Sequence, residues 1–107
     1  MEHAQVDRIV REYRQGLETL FGDQLAHVIL YGSFARGEGR EDSDIDVLCV
    51  LRGTFDYGDV LRRSSELTAG VSLAHGVVVS RVFVSEADLQ RRNLPFFMTI
   101  RREGVPA

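Results

Sequence analysis

The stretch Tyr31–Val50, YGSFARGEGREDSDIDVLCV, decides how this chain is read. Gly32-Ser33 closes one apolar run, and Asp44-Ile45-Asp46 opens another, with ten residues between Ser33 and Asp44. Side chains alternate along a strand, so Asp44 and Asp46 share one face while Ile45 and Val47 point the other way. At a rise of roughly 3.3 Å per residue the two carboxylates start about 7 Å apart along the backbone and can lean toward shared ions. Aspartate is a poor strand former and resists burial. Two of them on one face, directly ahead of Leu48-Cys49-Val50-Leu51, need a reason. Paired hard oxygen ligands for magnesium supply one, and a carboxylate bridging two ions about 3.5–4 Å apart suits phosphoryl chemistry.

The other half of the stretch suits an anion. Gly32 has no Cβ and lets the backbone come close to a ligand. Ser33 offers a hydroxyl and an amide, and a helical turn begun by Phe34 and Ala35 would aim further amides at a phosphate. Arg36 adds positive charge for the phosphate tail. Ser43 is a candidate at the same site, although a hydrogen bond within the loop is its commoner role. For Gly32-Ser33 to meet Asp44 and Asp46, the two flanking strands must run antiparallel.

Outward from this stretch the pattern is helix and strand in alternation. Val6, Ile9, Val10, Tyr13, Leu17, Leu20 and Phe21 recur at spacings of three and four and predict an amphipathic helix stopped by Gly22, with Gly16 interrupting it. Ala26–Tyr31 and Ile45–Leu51 read as strands, the second fully buried with Cys49 as a small core residue. A helix is expected from about Asp59 to Ala74, capped by Asp56 or Asp59, with Val60, Leu67, Val71 and Ala74 inward and Gly76 as its end. Val77–Val84 reads as a third strand. Ser85 opens a short helix to Arg92 with Asp88 as a capping-box partner, and Pro95 starts a last one to Arg102, stopped by Gly104 and Pro106. The expected fold is α/β: one domain over residues 1–107, with a small mixed sheet of about three main strands flanked by helices.

Composition narrows the partners. Thirteen basic against sixteen acidic residues leave a net charge of −3, which disfavours nucleic acid as the main ligand, because such binding neutralises many phosphates. The pairs Arg62-Arg63, Arg91-Arg92 and Arg101-Arg102 read as solvated or ion-paired surface. One cysteine forms no intrachain disulfide, and neither a signal peptide nor a membrane-spanning length is seen, so a cytoplasmic setting without membrane contact is expected. His3, His27 and His75 lack metal-ligand spacing. Pro95-Phe96-Phe97-Met98 with Ile100 is a dense apolar stretch, core by default but also available to a partner or to a second copy in a homo-oligomer.

Tyr31-Gly-Ser-Phe-Ala-Arg-Gly followed by Ser43-Asp-Ile-Asp-Val resembles the signature of the DNA polymerase β-like nucleotidyltransferase superfamily, above all its minimal nucleotidyltransferases. The element order is similar too, so the likeness covers nearly the whole chain. It implies a polymerase β palm-like fold and a magnesium-dependent transfer of a nucleoside monophosphate, AMP from ATP, to a hydroxyl acceptor. It places catalysis and Mg2+ on Asp44 and Asp46, and the nucleotide on Gly32, Ser33, Arg36 and Ser43. Many such minimal proteins are encoded beside a helical HEPN partner, and some act as antitoxins that place AMP on it. One departure stands out. The superfamily's third carboxylate would fall at Val78, Val79 or Ser80, and Gly76–Val84 contains no acid. A degenerate module that binds nucleotide and caps a partner is therefore the alternative. A small-molecule adenylyltransferase is a third reading, for which the chain is short.

Overall fold

A computed structural model describes residues 1–107. In chain order the elements are α1 (His3–Phe21), a 3-10 turn (Gly22–Gln24), β1 (Leu25–Tyr31), β2 (Ile45–Leu51), α2 (Tyr57–His75), β3 (Val79–Ser85), α3 (Glu86–Arg91), α4 (Pro95–Glu103) and β4 (Val105–Pro106). The sheet order is β3-β2-β1-β4. β1 runs antiparallel to β2, as a shared site at their facing ends requires, and β2 runs parallel to β3. Mixed pairing follows from the connections: an ordered loop returns the chain beside β1, whereas α2 carries it back across the sheet so that β3 starts at the same end as β2.

Alternation divides the sheet into two faces. Val28, Leu30, Ile45, Val47, Cys49 and Phe83 lie in one core with Val6, Ile9, Tyr13 and Leu17 of α1 and Val60 and Val71 of α2. Leu48 and Val50 form the opposite core with Leu89 of α3 and Phe97 and Ile100 of α4. β2 is thus buried on both sides, which is why its run is continuously apolar after Asp46. Gly16 breaks the α1 pattern where Leu67 of α2 seats against it; a Cβ there would lie 2.3 Å from Leu67 Cδ1.

Several expectations are corrected. Ala74 is exposed and Leu67 only half-buried; the inner face of α2 is Val60, Ser64, Thr68 and Val71. Two hydroxyls can sit there because each is satisfied: Thr68 donates to the Ser64 carbonyl at 2.7 Å and Ser64 to the Val60 carbonyl at 2.8 Å. With its proton so committed, Ser64 Oγ accepts from Arg81 Nε at 3.0 Å. Asp56, not Asp59, caps α2, accepting from Gly58 N at 3.0 Å. The Ser85 hydroxyl accepts from Asp88 N at 3.1 Å, half of the expected capping box. β3 begins at Val79, two residues later than expected. The sheet has a fourth strand: beyond Gly104, Val105 and Pro106 pair with Leu30 and Ile29. Two residues carry no readable period, so this short edge is set by the free side of β1.

The polar seam between α1 and α2 makes an ordered prediction. The Tyr13 phenol lies 2.8 Å from Thr68 Oγ1, and because Thr68 donates to Ser64, Tyr13 is the donor. Burial holds the Tyr13 phenol above its ordinary pKa, so it keeps that proton. Tyr13→Phe deletes one satisfied bond and costs about 1 kcal/mol; Thr68→Val strands the buried phenol and costs about 1–3 kcal/mol. Urea unfolding is expected to rank Thr68→Val as the more damaging change, and the reverse order would refute this direction of donation.

Candidate active site

Strand register lays side chains in rows across the α3/α4 face. His27, Val50 and Val84 form one row, Ile29, Leu48 and Val82 the next, and Tyr31, Asp46 and Ser80 the third. The first two rows contribute to the core beneath α3 and α4. In the third row Tyr31 still packs against Phe96 of α4, and the other two positions, Asp46 and Ser80, are polar. Asp46 is half-buried there, while Asp44, two residues earlier on the same face, is exposed. The two acids therefore open onto solvent from the head of the middle strand.

Gly32 meets them from β1. Its φ of +77° is a left-handed conformation, and a Cβ at this position would stand 2.2 Å from Asp46 Oδ2. The Asp46 carboxylate thus lies directly against the Gly32 backbone. Beyond Gly32 the chain makes a tight turn in which Arg36 N donates to the Gly32 carbonyl at 3.2 Å, and Glu38 N to the Ser33 carbonyl at 2.9 Å. The turn is not continued into a helix. It still leaves the amides of Ser33, Phe34 and Ala35 without a protein acceptor, the arrangement that favours an anion. Phe34 anchors the turn, with only 6% of its surface exposed. Gly39 folds over its ring, where a Cβ would come within 2.1 Å of Cδ1. This anchor was missed from sequence, although a lone aromatic in a polar loop was its signal.

The remaining candidates are placed differently. Arg36 lies near enough to Asp46 to stabilise its charge, but its Nε is 3.2 Å from Glu38 and its Nη1 3.8 Å from Glu103. Those carboxylates compete with a phosphate for its charge. The Ser43 hydroxyl accepts from Arg40 N at 3.0 Å, and Ser43 N donates to the Arg40 carbonyl at 3.0 Å. Its side chain staples the loop rather than facing the cradle. Tyr31 packs edge-on to Phe96, with ring centroids 5.6 Å apart; burial, then the Asp46 charge, push its phenol up to about 12. Phe97 and Ile100 are core, whereas Leu94, Phe96 and Met98 remain partly exposed.

Burial raises the Asp46 carboxyl above its ordinary 3.8, and the Asp44 charge raises it further against the opposing pull of Arg36. Two close carboxylates with one cation acting on Asp46, itself shared with Glu38 and Glu103, leave a deficit of positive charge. No third His, Cys, Asp or Glu completes a metal cluster. Magnesium fits what is present, because it commonly binds through one or two carboxylates together with substrate phosphates and waters. A carboxyl with a raised folded-state pKa holds its proton more tightly in the folded chain. The stability it contributes is full below about pH 3.8 and is lost as pH rises through the folded value. Without divalent cations at neutral pH, Asp46→Asn is therefore expected to raise Tm by a few degrees, an advantage that disappears in strong acid. Thermal melts from pH 3 to 8 test it; a lower Tm for the variant at pH 7 would be the contrary result.

A mixed sheet whose middle strand presents paired carboxylates beside an amide-lined glycine turn defines a class of α/β domain suited to phosphate chemistry. Residues 10–100 match the family described as the nucleotidyltransferase domain. The chain belongs to that family, and nucleotidyl transfer is its class of reaction. It is 30% identical over 99 residues to a Methanocaldococcus jannaschii protein named "Putative protein adenylyltransferase MJ0604", covering 92% of this chain and 93% of that one. Solved structures agree on the fold. A crystal structure described as a "putative nucleotidyltransferase from Sulfolobus solfataricus" superposes with a TM-score of 0.69 at 22% identity, over 97% of this chain and 80% of that one. A toxin-antitoxin crystal structure with AMP-PNP gives 0.59 at 18% identity, over 99% and 72%. No helix is long and apolar enough to cross a membrane.

Proposed function

We propose that this chain transfers AMP from ATP to a hydroxyl on a partner protein, with magnesium held by Asp44 and Asp46. The observation that carries the proposal is the Asp46 carboxylate lying against Gly32, the residue from which the turn with the free amides of Ser33, Phe34 and Ala35 departs. Those amides suit the β- and γ-phosphates, with Arg36 available to them after release from Glu38 and Glu103. The acceptor oxygen forms a bond to the α-phosphorus, the bond from that phosphorus to the bridging oxygen breaks, and pyrophosphate departs with the electron pair. Magnesium, when bound, supplies charge stabilisation at the phosphoryl oxygens. Ser80 stands level with Asp46 where a third acid would serve, so β3 supplies no carboxylate base and the acceptor proton passes to solvent. Transfer then depends on positioning and electrostatics, which dominate phosphoryl chemistry.

The adenylyltransferase name of the relative and the toxin-antitoxin setting of the fold neighbour support a protein acceptor, a helical HEPN-type partner being the natural candidate. Incubation with α-labelled ATP, magnesium and the product of the neighbouring gene is expected to label that product. Ser80 favours one other reading, a partner-capping module without turnover. A stoichiometric complex with no label, formed equally well by Asp44→Asn, would establish it.

A further inference from the structure

We propose that the exposed ring of Phe96 is the platform on which the base of the nucleotide stacks, and that it makes the site prefer purines. The inference rests on the transferase reading and gives the nucleoside its place. With the α-phosphate at Asp44 and Asp46 and the later phosphates on the amides beyond Gly32, the base is the group still to be held. Bases stack on aromatic side chains whatever their edges carry, and the larger purine rings stack more strongly.

Few rings can serve. Tyr13, Phe21, Phe34, Phe83 and Phe97 are buried, and Phe55 and Tyr57 follow the far end of β2, away from the acids that head it. Tyr31 and Phe96 remain. Tyr31 lies directly opposite Asp46 in the β1–β2 ladder, so the two side chains leave one face of the sheet roughly 5 Å apart. The Tyr31 ring in turn meets Phe96, with centroids 5.6 Å apart. Tyr31 is half-buried, whereas Phe96 keeps 39% of its surface exposed. Tyr31 and Phe97 both meet Phe96 edge-on, at interplanar angles of 89° and 70°, so neither ring is stacked upon it. The same flank of α4 faces the site further along. Glu103, seven residues and almost two turns on from Phe96, lies 3.8 Å from Arg36 of the glycine turn. Met98 stands on the other flank, because the buried Phe97 separates it from Phe96.

Calorimetric titration of the full chain with ATP, CTP or tripolyphosphate, each with magnesium, tests the assignment. Tripolyphosphate reports the acids and the amides alone, and a nucleotide adds the nucleoside. Phe96→Ala should weaken ATP binding about tenfold, weaken CTP by less, and leave tripolyphosphate within about twofold. Met98→Ala should change none of the three by more than about twofold. Phe96→Trp gives the chain, which has no tryptophan of its own, a reporter at the platform; it should keep ATP affinity, and its emission should fall with ATP but not with tripolyphosphate. Equal weakening of ATP and tripolyphosphate by Phe96→Ala would put the role of the ring in the fold and overturn the proposal. Tryptophan emission indifferent to saturating ATP would overturn it too, and CTP weakened as much as ATP would remove the purine preference. If Phe96→Ala leaves ATP affinity intact but loosens the partner or a dimer of the free chain, the ring belongs to a protein interface instead. Binding as expected without any labelling from α-labelled ATP would refute the transferase reading and leave the platform standing. A parent chain that binds neither ATP nor tripolyphosphate would sink both.

Discussion

Asp44→Ala and Asp46→Ala are each expected to lower AMP transfer by about 10³-fold or more while the protein stays folded. Single groups that stabilise transition-state charge are worth about 10²–10³-fold. A metal ligand also fixes where the α-phosphate sits, so its removal adds a positioning loss. The fold should survive because Asp44 is exposed and Asp46 only half-buried, and because the Asp46 charge opposes folding at neutral pH. Magnesium should raise the Tm of the parent chain but not of the variants, since a ligand stabilises only the state that binds it. Labelling of the partner, followed under single-turnover conditions, gives the rate. Either variant retaining activity within tenfold would remove the carboxylate pair from the mechanism.

Gly32→Ala should be the second severe change, with Gly37→Ala as its matched control. Both glycines have left-handed φ, +77° and +75°, and an alanine there costs roughly 1–2 kcal/mol of backbone strain. They differ in what a Cβ meets. At Gly37 nothing lies within 4 Å, whereas at Gly32 Asp46 Oδ2 is 2.2 Å away. The carboxylate must move by about 1 Å, a displacement worth about 10²-fold in rate. Similar losses of Tm with activity lost only in Gly32→Ala would separate the contact from the strain. Equal activity losses would show that the turn, not the contact, is what matters.

Local chemistry made much of this legible. The alternation that puts Asp44 and Asp46 on one face needs only a strand, and the periodicity of Val6 to Phe21 needs only a helix. The antiparallel pairing of β1 with β2 followed from bringing Gly32 near Asp44, and the pairing has that sense. The nucleotidyltransferase family was readable from Tyr31 to Val50 for the same reason, and the α/β order from the helix and strand periods on either side of that stretch. Close backbone approach and paired oxygen ligands demand particular residues at particular spacings.

What the order of residues could not settle was decided by contacts between distant segments. Ser64 and Thr68 are inward because Tyr13 and Arg81 meet them there, and no helical period reports partners from another element. Val105 and Pro106 became strand only because β1 had a free edge. Arg36 and Ser43 were chosen by residue type, but their hydrogen bonds go to Glu38 and Arg40, which loop geometry brings within reach. Sequence determined which groups carry charge and which stretches bury apolar surface, because those are properties of side chains and their spacing. Tertiary structure alone decided that Asp46 rests on Gly32 and that Phe96 stays partly uncovered, because contact and exposure depend on every element packed around a residue.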